Sequence, residues 1–146
     1  MLAILRVVQF EDPKDLQSKI IFQKYFTIKN SESMFLGRSK DVQWQIEDTL
    51  SSSKHLKFEM QGGYLFFEDL ESKNGTRLNK IRVRERTNLY LDDVITLGAT
   101  YIHIDADHTP LESRMKLRSP NGRDDKYAFV QEYGDLTNPK LILDLD

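Results

Sequence analysis

The chain has no cysteine among its 146 residues. Disulfides, thiolate metal sites and cysteine nucleophiles are therefore excluded. It also lacks any apolar run near the roughly 18 residues that a membrane-spanning helix needs. Its first six residues, MLAILR, have neither the basic start nor the long apolar stretch of a signal peptide. An intracellular protein is the expectation, with nothing to choose between nucleus and cytoplasm. The motifs of several enzyme classes are missing as well: no Gly-x-Ser-x-Gly, P-loop, His-Glu-x-x-His or EF-hand spacing occurs. With only three histidines, His55, His103 and His108, no catalytic residues, metal ligands or cofactor are expected in this chain. A catalytic domain elsewhere in a longer parent protein is a separate matter.

What is present suits one globular domain. Hydrophobic residues make up 39% and charged residues 30%, with mean hydropathy −0.54, too apolar for general disorder. The net charge is −2, but its distribution is uneven. Between residues 73 and 86, Lys73, Arg77, Lys80, Arg82, Arg84 and Arg86 face Glu85 alone. Such a stripe can attract an anionic partner. It also suits a solvated strand edge, where basic residues discourage pairing with another sheet.

Short β-strand patterns fill the first 105 residues. Residues 1–10 are rich in Ile, Leu and Val, and Ile20, Phe22, Phe26 and Ile28 fall at even spacing. A short strand at residues 34–36 ends at Gly37. Val42, Trp44 and Ile46 alternate with glutamines, and Leu56, Phe58 and Met60 repeat the pattern. Gly62-Gly63 predicts a hairpin turn into residues 64–67. Ile81 and Val83 alternate with arginines, and residues 94–97 and 101–104 flank Gly98 as two closing strands. No convincing amphipathic helix interrupts them, so an all-β sandwich is expected for residues 1–105. Residues 106–146 contain Pro110, Pro120, Asn121-Gly122, Gly134 and Pro139, with apolar clusters only at 127–130 and 141–145. They read as a C-terminal extension that is either docked on the sandwich or flexible.

Three polar clusters lie at strand ends: Gly37-Arg38-Ser39, then the run from Ser51 to His55, then the run from Asp69 to Thr76 with Asn79 shortly after. Each alone is ordinary loop chemistry. In order, Gly37-Arg38, Ser52-x-x-His55, Ser72-x-Asn74-Gly75-Thr76-x-x-Asn79 and Leu91-x-Asp93-x-Ile95-x-Leu97-Gly98 resemble the forkhead-associated (FHA) domain. The resemblance runs from Leu36 to about Ile104. It implies a β-sandwich of about eleven strands in two sheets. It further implies that loops at one end bind phosphothreonine in a partner protein.

Carried over position by position, the resemblance makes Arg38 and Ser52 phosphate contacts and Asn74 a contact to the peptide backbone. A phosphothreonine brings close to two negative charges and three acceptor oxygens. Arginine meets them with an always-charged fork of donors, and an amide both donates and accepts. Ser53 and Lys73 stand where further phosphate contacts are common. Ser53 departs from the longer side chains usual there. Gly37, His55, Gly75, Thr76 and Asn79 are implied supports of the site, and Asp92-Asp93 a turn before a closing strand. Selectivity for the residue three places after the phosphothreonine is not legible: Glu47 and Asp48 favour a basic or polar partner residue, Leu50 an apolar one.

Other functions compete less well. A nucleic-acid reader is opposed by the pI of about 5.9 and by the lack of aromatics within the basic stripe. A phosphate-independent interaction or dimerisation module, working through a sheet face, is the main alternative. Thr109-Pro110 and Ser119-Pro120 resemble sites of proline-directed kinases, so phosphate-dependent self-association through Thr109 is a further expectation.

Overall fold

The computed structural model describes residues 1–120. Eleven strands run in order: β1 (Leu2–Phe10), β2 (Ile20–Lys29), β3 (Ser33–Gly37), β4 (Trp44–Gln45), β5 (Leu56–Gln61), β6 (Tyr64–Asp69), β7 (Thr76–Leu78), β8 (Ile81–Val83), β9 (Thr87–Leu89), β10 (Ile95–Leu97) and β11 (Thr100–Ile104). A single short helix, α1 (Leu111–Lys116), follows. One sheet has six strands in the order β2-β1-β11-β10-β7-β8, and the other five in the order β4-β3-β5-β6-β9. The expected all-β sandwich of about eleven strands in two sheets is what forms.

Alternation along each strand decides which side chains enter the core, because neighbouring residues point to opposite faces. Ala3, Leu5 and Val7 of β1 are fully buried against Leu56, Phe58 and Met60 of β5 and Leu65 and Phe67 of β6. Trp44 joins the two sheets. It stacks on Phe26 with ring centroids 5.0 Å apart and tilts against Phe58 at 5.2 Å. The weak alternation of residues 1–10 has a physical cause: β1 is covered on both faces. Val8 and Phe10 lie under a second apolar cluster with Leu16, Ile20 and Tyr101.

Two hairpins use the left-handed turn that matches strand twist. Gly62 (φ 59°) and Gly63 (φ 82°) join β5 to β6, as the sequence predicts. Asn79 (φ 50°) and Lys80 (φ 72°) join β7 to β8 without glycine.

The structure departs from the sequence reading in four places. The 42–46 alternation buries Val42, Trp44 and Ile46, but only Trp44 and Gln45 form a strand, paired in parallel with β3. Strands β7 and β9 are three residues each, too short to show a period. Helix α1 was not expected in a stretch broken by prolines; Pro110 sits at its N-cap, where a missing N–H costs nothing. Finally, Thr109 is not presented for phosphorylation. It is 2% exposed, and its hydroxyl accepts from the Ile4 N–H at 3.1 Å. Self-association through a phosphorylated Thr109 is therefore set aside: a phosphate there would break that bond.

Residues 105–117 pack against the sandwich. Asp105 N–H donates to the Ile4 carbonyl at 2.7 Å, Leu91 N–H donates to the Leu117 carbonyl at 2.9 Å, and Leu117 is buried in the main core. The apolar clusters at 127–130 and 141–145 lie outside the described residues.

Candidate functional site

The three polar clusters meet at one end of the sandwich because β3, β5 and β6 are neighbours and their ends coincide there. Gly37 closes β3. A side chain on it would collide with the carbonyls of Ser52 and Ser53, so only glycine lets the two loops touch. They touch through the backbone: Arg38 N–H donates to the Ser52 carbonyl at 3.0 Å and Ser39 N–H to the Ser53 carbonyl at 3.1 Å. Arg38 is thereby fixed at its main chain, next to the loop of Ser52 and Ser53, while the residue stands exposed.

His55 ties these loops to the third. Its ring is fully buried. Nδ1 accepts from the Ser52 N–H at 3.0 Å, and Nε2 lies 3.0 Å from the Gly75 carbonyl and 3.1 Å from Thr76 Oγ1. Nδ1 is an acceptor, so the single proton of the neutral ring sits on Nε2. Burial is the largest influence and pushes the His55 pKa below its ordinary 6.5, against the pull of the Gly75 carbonyl and of Asp69 and Asp48. The ring is thus a neutral cross-brace, not a general base.

Asp69 organises the third loop. Its carboxylate accepts from Ser72 N–H at 2.8 Å, Ser72 Oγ at 2.5 Å and Thr76 Oγ1 at 2.6 Å. Burial works to raise its pKa, but the hydrogen bonds from Ser72 and Thr76 outweigh burial and hold it below the usual carboxylate value. Gly75 N–H donates to Ser72 Oγ at 3.0 Å, and Gly75 itself has φ 83°. This left-handed turn lifts Lys73 and Asn74 to the exposed rim.

Across the rim, Lys73 N–H donates to Ser52 Oγ at 3.0 Å and Asn74 Nδ2 to the Leu50 carbonyl at 2.8 Å. The Ser52 hydroxyl accepts here, so its own hydrogen is available to an outside acceptor. Arg38, Ser52, Ser53, Lys73 and Asn74 come together on one rim, with Gly37, His55, Gly75 and Thr76 beneath it. Asn79 is placed elsewhere. It pins the β7–β8 turn to the segment before β10, through Asp93 Oδ1 at 2.9 Å and the Val94 N–H at 2.9 Å.

Asp48 has a part that sequence reasoning missed. It does not face a ligand. Its carboxylate accepts from Ala99 N–H at 2.8 Å, Thr100 Oγ1 at 2.7 Å and Leu50 N–H at 2.9 Å. Its carbonyl accepts from Ser51 Oγ at 2.6 Å. It anchors the loop that carries Ser52 to the β10–β11 turn. The spacing Asp48-x-x-Ser51 was the available signal, since Asp and Ser three apart bond each other's backbone in turns. Glu47, Thr49 and Leu50 of that loop stay exposed as candidates for peptide contact. Among the described residues no group of three His, Asp or Glu side chains is placed to hold a metal ion. No described helix is long and apolar enough to cross a membrane.

Comparison with known proteins agrees with this geometry. The FHA domain family model matches residues 34–98. The chain is 39% identical over 70 residues to the FHA domain-containing protein FhaA of Mycobacterium tuberculosis. That stretch is 48% of this chain but only 13% of FhaA. The solution structure of an FHA domain from an Arabidopsis thaliana protein superimposes with TM-score 0.56 at 30% identity. The match covers 70% of this chain and 85% of that one. A structure from a study of phosphothreonine-dependent FHA domain interactions matches with TM-score 0.54 at 28% identity, over 68% of this chain and 94% of that one. The sandwich, the loop motifs and the family match coincide on the same residues, and the chain belongs to the FHA domain family.

Proposed function

We propose that this chain is a phosphothreonine-dependent protein interaction module that recruits phosphorylated partner proteins in signalling. It acts by binding rather than by catalysis. The observation that carries the reading is the rim itself. An exposed arginine, a hydroxyl with a free hydrogen, an exposed lysine and a primary amide sit on adjoining loops that a buried histidine and an aspartate brace. Arg38 supplies the charged fork and Ser52 a hydroxyl donor, with Ser53 and Lys73 beside them. Charge-assisted hydrogen bonds of this kind are roughly twice as strong as neutral ones. Asn74, already spending one N–H on Leu50, has its carbonyl and second N–H to meet a peptide backbone.

Two related structures support the reading: the one solved in the study of phosphothreonine-dependent interactions, and the FhaA FHA domain in complex with the intracellular domain of another protein. The domain extends to about residue 117 in this reading, because the core is incomplete without Leu117.

The test is calorimetric titration of a phosphothreonine peptide library, with unphosphorylated and phosphoserine controls and the Arg38→Ala variant in parallel. Binding only to phosphothreonine peptides, lost in the folded variant, is the expected result. Equal binding by both proteins sinks the proposal.

A further inference from the structure

The six basic residues between 73 and 86 are not spread evenly over the surface. Strands β7 and β8 pair so that Arg77 stands directly opposite Arg82. Two like charges at a cross-strand position repel each other, so this pair does not serve the fold. Arg84 follows directly on β8, two residues beyond Arg82. Both side chains of the pair are exposed, as is Arg84. Among the described residues, none of the three has a carboxylate partner; the lysine or arginine ion pair recorded there is Arg86 with Glu59, at 2.9 Å.

This face adjoins the rim. The Arg82 guanidinium lies over Gly75: a Cβ built on Gly75 would be 2.9 Å from its Nε and 3.0 Å from its Cζ. Gly75 follows Asn74 and Lys73, and Lys73 N–H is bonded to Ser52 Oγ. Two residues of chain span at most about 7 Å. A few residues of extended peptide therefore reach from the phosphate position to the arginines.

We infer that the Arg77, Arg82 and Arg84 face is a second recognition surface, selecting phosphothreonine peptides that carry a run of acidic residues on one side of the phosphothreonine. The inference rests on the phosphothreonine reading above. An acidic segment relieves the Arg77–Arg82 repulsion and continues along the charged face from a phosphate seated at Arg38 and Ser52. The protein's own net charge of −2 offers such a peptide no general attraction, so its gain must come from this local field.

The experiment measures the affinity of three phosphothreonine peptides by titration at low salt. One has neutral flanks, one has three glutamates before the phosphothreonine and one has three after it. Each is measured against the wild-type protein, Arg82→Gln and the double variant Arg77→Gln/Arg84→Gln, all checked by thermal melting. The readout is the ratio of acidic to neutral affinity. In the wild type one acidic arm, and only one, binds about five- to tenfold tighter, and the gain shrinks with added salt. In both variants the ratio falls towards one. Equal affinities for all peptides, equal gain from both arms, or a ratio kept in the variants overturns the inference while leaving phosphothreonine binding standing. No binding of any phosphopeptide overturns both. Arginine-dependent binding of an unrelated DNA duplex, with no acidic-peptide gain, assigns the face to nucleic acid instead.

Discussion

The backbone N–H of Ser52 donates to Nδ1 of His55 at 3.0 Å, and this bond fixes the protonation state of the buried ring. A proton added to Nδ1 would face the Ser52 N–H directly. The residue whose hydroxyl is the proposed phosphate donor is therefore held by one that must stay neutral.

Stability should consequently depend on pH in a defined window. In the unfolded chain His55 titrates near 6.5; folded, it titrates lower. Between the two values the unfolded chain binds the extra proton. The contribution of His55 is thus complete above about pH 6.5 and is lost as pH falls through the window. Asp69, held low by Ser72 and Thr76, keeps its contribution until pH drops below the ordinary carboxylate value. Urea midpoints measured from pH 8 to pH 5 should fall below pH 6.5, with a flatter profile for His55→Gln. A midpoint that stays constant or rises on acidification contradicts the assignment of the ring as neutral.

Asp48→Ala removes the acceptor of Ala99 N–H, Thr100 Oγ1 and Leu50 N–H. Leaving buried donors unpaired costs about 1–3 kcal/mol. The variant should lose stability of that order in chemical denaturation. It should also bind phosphopeptide more weakly, because the loop with Ser52 is no longer anchored. Unchanged stability would show that the anchor is dispensable.

Gly37→Ala places a methyl group against the Ser52 and Ser53 carbonyls. Backbone cannot give way as a flexible side chain does, and overpacking of this kind costs about 1–3 kcal/mol. Amide exchange at Arg38 and Ser39, whose N–H groups bridge the loops, should accelerate in the variant. Protection equal to the wild type would refute the close approach.

Leu117→Ala tests the extent of the domain. The side chain is 1% exposed within the main core, and truncating a buried leucine costs about 2–5 kcal/mol. Ending the chain after Asp105 should cost more. It also removes the Thr109 and Ser113 hydroxyls that accept from Ile4 and Leu2 N–H. A truncated chain as stable as the full one would place the boundary at residue 105.

Much of this was legible in the sequence, and the rest was hidden for identifiable reasons. The loop residues could be read because glycine, asparagine, serine and histidine at strand ends do work that few other side chains can do. The hairpin at Gly62-Gly63 follows from its two positive φ angles. The turn at Asn79-Lys80 has the same shape, but Lys80 hides it. Strands of three residues, such as Thr76–Leu78 and Thr87–Leu89, are too short to show alternation; tertiary pairing alone makes them strands. Helix α1 has six residues and a proline cap, so it carries no sequence period. In the sequence Asp48 reads, with Glu47, as an acid facing the partner peptide, because its partners, Ala99 and Thr100, are some fifty residues away.

Met1 and Lys116 both pack against the Gly62-Gly63 turn, where Lys116 Nζ donates to the Gly62 carbonyl at 3.0 Å. That turn closes the end of β5 opposite His55. Six residues of strand, at about 3.3 Å each, put it roughly 20 Å from the rim. Met1 and the helix that carries Lys116 therefore lie together on the side away from the rim. A tag, a bead or a sensor surface coupled at Met1 leaves the rim facing solution. A donor and an acceptor dye at Met1 and on the peptide would report docking as a separation of known order.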